Sequence, residues 1–160
     1  MASDLTSSII GHDDPARSGT ASAIVTVCKT CRARHVDEDG ATHYGERVGE
    51  DVSRRLAEAL RALDLDGRVA LADVGCMAGC GRPCSVAVQA VGKAGYLFGD
   101  IVTDEEVAAI AAFAGQHIDL EDGWCSSLQR PEALKRKTLA RLPAPLPLPP
   151  LAGALREAAE

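Results

Sequence analysis

Aromatic side chains are scarce in this sequence: Phe98, Phe113, Trp124, Tyr44 and Tyr96 are five among 160 residues. The core must therefore come from Ala, Val, Leu and Ile, and too few rings remain to build a stacking platform for single-stranded nucleic acid. An excess of positive charge is missing as well. Seventeen Lys and Arg stand against twenty-three Asp and Glu, a formal charge of −6, which is the wrong sign for a general polyanion binder. No apolar run approaches the roughly 18–20 residues that span a bilayer, and residues 1–20 carry neither the basic start nor the apolar middle of a secretory signal. No Ser, His and Asp arrangement, phosphate loop or paired-carboxylate site stands out, so an enzyme acting by itself is not expected. The absences point to a cytoplasmic protein whose partners are neither nucleic acid nor membrane.

What the sequence does have is six cysteines: Cys28, Cys31, Cys76, Cys80, Cys84 and Cys125. In a small exported chain an even count would suggest disulfides. Without an export signal, a reducing compartment favours thiolate ligands or redox chemistry instead.

The pattern along the chain is that of an α/β domain. Residues 1–22 mix Ser, Gly, Asp and Pro without a sustained period and are expected to form a leader. The β-branched run AIVTV from Ala23 predicts a buried strand that delivers Cys28 at its end. A polar, charge-rich connection from Lys29 to Arg47 follows. Val48, Val52, Leu56, Leu60 and Leu63 then fall on one helical stripe, and RVALADV (Arg68–Val74) predicts a second strand. A strand, helix, strand unit makes its two strands parallel, so their exits, at Cys28 and just before Cys76, should lie side by side.

After GCMAGCGRPC, SVAVQAV predicts a third strand, Gly92-Lys93 a turn and GYLFG a fourth. Thr103 with Glu106 has the spacing of a capping box for a helix ending at Gly115. The compact domain is thus expected over 23–118 in the order βαβββα. Residues 119–160, with Arg130, Lys135, Arg136, Lys137 and Arg141 and then five of the eight prolines between Pro143 and Pro150, are expected to form a basic, Pro-rich extension.

Deprotonated sulfur is soft, and thiols two or three residues apart in a loop converge on one metal without strain. Cys28 pairs in this way with Cys31, and Cys76 with Cys80, with Cys84 a fifth candidate in the same loop. Gly75, Gly79 and Gly81 suit a loop that turns tightly and points N–H groups at negative sulfur. Lys29, Arg32, Arg34 and Arg82 place positive charge around the same end, suited to docking an acidic redox partner.

GCMAGC, the alternating strand after it, the Gly-Lys turn, GYLFG and the acidic helix start resemble the thioredoxin-like [2Fe-2S] ferredoxins, relatives of the small iron-sulfur subunit of respiratory NADH dehydrogenases. The chain also resembles a bacterial family of predicted metal-binding proteins that shares the CxxC after the first strand, the CxxxCxxxC loop, YLFGD and the later RPE and ARLP segments. Together the resemblances cover about Val25 to Pro143. They imply a thioredoxin-like fold and an electron carrier with a [2Fe-2S] cluster on Cys28, Cys31, Cys76 and Cys80, and they leave a homodimer open. The ferredoxins usually separate their first pair more widely, which makes Cys84 the substitute for Cys31.

Two other chemistries fit the same thiols: carriage of a zinc or cobalt ion to a metalloenzyme, and dithiol redox work at Cys28 and Cys31. Cys125, beside Trp124, reads as an apolar residue. His35 and His43 read as solvated, with His35 an alternative ligand.

Overall fold

The computed structural model describes residues 20–146. Its main element is a five-stranded sheet formed by β1 (Ala23–Cys28), β4 (Val69–Val74), β5 (Val86–Gln89), β6 (Gly95–Phe98) and β7 (Thr138–Leu142) in the order β4-β1-β5-β6-β7. β1 and β4 are parallel, and the remaining pairings are antiparallel. Helix α1 (Gly49–Ala62) makes the crossover between β1 and β4, and α2 (Asp104–Asp119) follows β6 and packs against α1. The parallel pair, the three antiparallel pairings and the two helices give the domain a thioredoxin-like fold. None of the described helices is long and apolar enough to cross a membrane.

Register explains the core. Val25 stands opposite Val88, which stands opposite Tyr96; Val27 stands opposite Val86, which stands opposite Phe98. Directly paired residues share a sheet face, and all six are buried. Val52, Leu56 and Leu60 of α1 and Val107, Ile110 and Phe113 of α2 close over that face. Each such side chain contributes about 1.5–3 kcal/mol of transfer free energy on burial. Phe113 meets Tyr96 and Phe98 edge-on at centroid distances of 5.0 and 5.2 Å, so three of the chain's few rings stand together.

The capping box is present: Thr103 accepts from the Glu106 N–H at 3.2 Å, and Glu106 accepts from the Thr103 N–H at 2.9 Å. The helix it opens does not stop at Gly115. It runs to Asp119, and Gly115 within it lies under Leu65, where a Cβ would stand 3.1 Å from the leucine. That glycine permits close packing rather than ending a helix.

Two departures from the sequence reading bear on the site. Within the polar connection 29–47, β2 (Arg32–Val36) and β3 (Thr42–Arg47) form a separate two-stranded hairpin that the order βαβββα did not include. Nearly every residue in it is exposed, so it has no apolar alternation to reveal it. Secondly, β7 lies in the segment expected as an extension beyond 118, yet it is the fifth strand of the sheet. Cys125 and Leu134, before it, are buried.

The basic residues of that segment make contacts within the domain, although Arg136 and Arg141 stay exposed. Arg130 lies over the Tyr96 ring at 5.7 Å, Arg141 over Trp124 at 3.7 Å, Lys135 pairs with Glu132 and Lys137 with Glu106. Most of the leader and the prolines from Pro147 onward lie outside the described residues.

Candidate functional site

The strand pattern brings the thiols to one end of the sheet. β1 ends at Cys28, opposite Val74 of its parallel neighbour β4, and the Lys29 N–H donates to the Val74 carbonyl at 3.0 Å. The expected adjacency of the two strand exits is therefore present. On its other side β1 pairs antiparallel with β5, so the start of β5 also lies beside Cys28. The Cys28 N–H donates to the Ser85 carbonyl at 3.0 Å. The segment from Gly75 to Ser85 therefore arches over the end of β1 and lands beside it.

This arch sorts the cysteines. Cys84, at its landing point, is buried, and its thiol lies 3.5 Å from the Cys28 carbonyl oxygen. Cys31 is buried too; its sulfur accepts from the Ser85 N–H at 3.4 Å and interacts with the thiols of Cys28 and Cys84. Cys80 is exposed and joins Cys28, Thr30, Cys31, Arg32, Tyr44 and Pro83 in lining a cleft of about 320 Å³. Cys76 is exposed, accepts from the Ala78 N–H at 3.3 Å, and does not line that cleft. Ala78, with a φ of 56°, makes the left-handed turn in this loop.

Among the described residues, no three His, Cys, Asp or Glu side chains stand in an arrangement that would hold a metal ion as they are placed. The donor set is nonetheless of one kind. The cleft offers sulfur from Cys28, Cys31 and Cys80, with Cys84 behind them, and no carboxylate or imidazole. Backbone N–H groups already point at the sulfurs of Cys31 and Cys76. Sulfur ligands with amide donors suit an iron-sulfur cluster or another soft metal. His35 faces His43 across the exposed hairpin, and His43 binds Asp37 at 2.8 Å; neither histidine lines the cleft.

The thiols are not equally acidic. Burial opposes ionisation of Cys28, but the Met77 backbone, the Cys31 thiol and Thr30 hydrogen-bond to it and hold it below the ordinary thiol range. Burial pushes Cys31 up despite the Ser85 N–H, and the neighbouring Cys28 adds to the rise. Burial pushes Cys84 furthest up, with Cys31 and Cys28 reinforcing it. Cys28 is therefore the first of the three to become a thiolate. Gathering anionic sulfur in a partly buried place is unfavourable in itself, and a bound cation relieves it.

Other residues fix the site without marking themselves in the sequence. Gly49, at the start of α1, lies against the CxxC turn so closely that a Cβ would stand 2.3 Å from the Cys28 carbonyl oxygen. The Val48 N–H donates to the Cys31 carbonyl at 2.9 Å. Thr30 donates through its hydroxyl to the Gly75 carbonyl, tying the two cysteine loops together. The C-terminal segment buttresses the arch from behind. The Gly99 N–H donates to Lys137, Arg82 donates to the Arg136 carbonyl, and Leu139 comes within 2.9 Å of where a Cβ on Gly99 would lie. Arg82 also pairs with Asp100 at 2.6 Å, which removes it from the set of charges open to a partner.

Residues 25–144 match the family described as Protein of unknown function (DUF1636). The chain belongs to that family. Among solved structures, this DUF1636 member is similar to one titled as a thioredoxin-like [2Fe-2S] ferredoxin from Aquifex aeolicus. The two share 19% identity and a TM-score of 0.47 over 76% of this chain and 94% of that one. Comparison with curated proteins finds no match.

Proposed function

We propose that the protein is a small electron carrier that holds a [2Fe-2S] cluster on cysteine thiolates, with Cys28, Cys31, Cys80 and Cys84 as its ligands and Cys76 outside the set. The observation that supports this most is the gathering of thiols around one cleft at the end of β1 that no carboxylate or imidazole lines. When bound, such a cluster takes up and releases a single electron. The chain's own part is positional. Thr30, Gly49 and Val48 hold the CxxC turn, the C-terminal segment holds the arch, and the N–H groups of Ser85 and Met77 steady negative charge on Cys31 and Cys28.

The test is purification without oxygen followed by a visible spectrum and analysis for iron, acid-labile sulfide, zinc and cobalt. A brown protein with iron and sulfide in equal amounts is the expected result. Cys84→Ser should abolish or strongly alter the spectrum, whereas Cys76→Ser should leave it unchanged. The reverse outcome restores Cys76 as the ligand. The exposure of Cys80 and Cys76 favours a second reading, carriage of a zinc or cobalt ion to another protein. A colourless protein containing either ion supports that reading and overturns the first. A metal-free protein that reduces disulfides overturns both in favour of dithiol chemistry.

A further inference from the structure

The β2–β3 hairpin is an anomaly. It buries almost none of its side chains, and a two-stranded ribbon without an apolar face is marginal on its own. Its register adds a local cost: Arg32 stands directly opposite Arg47, and like charges across a ladder repel. Beside them Arg34 stands opposite Tyr44, whose ring is half exposed. Among the described residues, Arg32, Arg34 and Arg47 make no ion pair with a carboxylate. Asp37, at the opposite end, accepts from His43 and from the Asp39 and Ala41 N–H groups of the turn. Glu38 and Asp39 lie at that turn too, about 10 Å or more from Arg34 at strand spacing. The ribbon is therefore polarised, acidic at its tip and net basic at its base, where Glu46 is a single exposed carboxylate among Arg32, Arg34 and Arg47, in a chain that is acidic as a whole.

The basic base adjoins the candidate site, since Arg32 and Tyr44 line the thiol cleft. Arg and Tyr are the side chains that most often carry binding energy at protein interfaces, and complementary charge steers encounter. We infer that the base of the β2–β3 hairpin, through Arg32, Arg34, Arg47 and Tyr44, docks the carboxylate-bearing surface of a protein partner over the thiol cleft. This deepens the electron-carrier reading by giving the partner's chemistry. The surface differs from the one the sequence suggested: Lys29 and Arg82 leave it, and Arg47 and Tyr44 join it. Arg32 donates to the Gly45 carbonyl at 2.8 Å, but no carboxylate among the described residues pairs with it or with Arg47, and partner carboxylates placed between them relieve their repulsion.

The test uses the full chain labelled with nitrogen-15, titrated with poly-L-glutamate at low ionic strength while amide shifts are followed. Because the readout needs no metal and no electron transfer, its failure and the failure of the cluster assignment are distinguishable. The expected result is a set of shifts confined to the base, residues 29–34 and 44–47, with affinity falling about tenfold or more in the double variant Arg34→Glu/Arg47→Glu and on raising salt to physiological strength. The charge-neutral pair Arg34→Gln/Arg47→Gln should weaken binding less, and it serves as the readout if the reversal unfolds the ribbon. Shifts centred on Lys135 and Arg136, shifts spread over the surface, or no binding would overturn the inference. So would a single-stranded DNA oligomer that binds the same residues as tightly as poly-L-glutamate.

Discussion

The two ends of the sheet contrast sharply. At the end where α2 finishes, polar groups are enclosed: Lys93 donates to the carbonyls of His117, Ile118 and Leu120, His117 donates to Ala94 at 2.7 Å, and Tyr96 and Phe113 pack around the imidazole. At the other end, Cys28, Cys31 and Cys84 are buried but Cys76 and Cys80, on the loop, face solvent, and the hairpin has no core. One end is built for stability and the other is left adaptable, as expected where ligands and partners arrive.

The contrast is broken most forcefully from the packed side. Phe113→Ala should cost about 3–5 kcal/mol, because two T-shaped ring contacts vanish and a cavity opens under the sheet. Urea denaturation measures this, and a loss below 1 kcal/mol would show that the core does not depend on the ring cluster. Gly49→Ala should come next, at about 1–3 kcal/mol, since its Cβ collides with the backbone of the CxxC turn rather than with a yielding side chain. The same variant should displace Cys28 and Cys31, so altered thiol reactivity alongside the lost stability distinguishes it from a purely structural change.

Acid should find the enclosed end as well. Burial, with Lys93 nearby, holds the His117 imidazole below its usual range despite the Ala94 carbonyl. The unfolded chain therefore takes up a proton that the folded one resists. Stability from this group is intact above the ordinary histidine range and falls as the pH drops through it. Denaturation midpoints at pH 7.5 and 5.5 should differ more in the wild type than in His117→Asn; equal slopes would remove His117 from the account. Smaller still, Thr103→Ala removes one side of the capping box and should cost about 1 kcal/mol. Smallest is Tyr44→Ala at the open end, expected within about 0.5 kcal/mol because its ring is half exposed.

The sequence was legible where one physical cue dominated. Alternating or β-branched runs located β1, β4, β5 and β6, and a stripe of Val and Leu located α1. The thiol-rich end could be placed because a crossover helix forces β1 and β4 to be parallel. β2 and β3 were hidden because a ribbon exposed on both faces carries no hydrophobic period. β7 was hidden because Thr138–Leu142 is short, flanked by Lys and Arg, and paired only to β6. Gly115 misled because a glycine needed for closeness looks the same in sequence as one needed for a turn.

By itself, then, the sequence determined the α/β order and the pooling of the CxxC and CxxxCxxxC thiols at one sheet end, since both follow from local periodicity and a single topological rule. Which thiols lie together was decided only by the tertiary structure. Spacing treats Cys76, Cys80 and Cys84 alike, whereas the antiparallel pairing of β5 with β1 buries Cys84 beside Cys28 and Cys31, brings Cys80 to the cleft and leaves Cys76 outside. The fate of each charge was likewise a matter of three-dimensional neighbours: Arg82 met Asp100, while Arg47 came to stand across from Arg32.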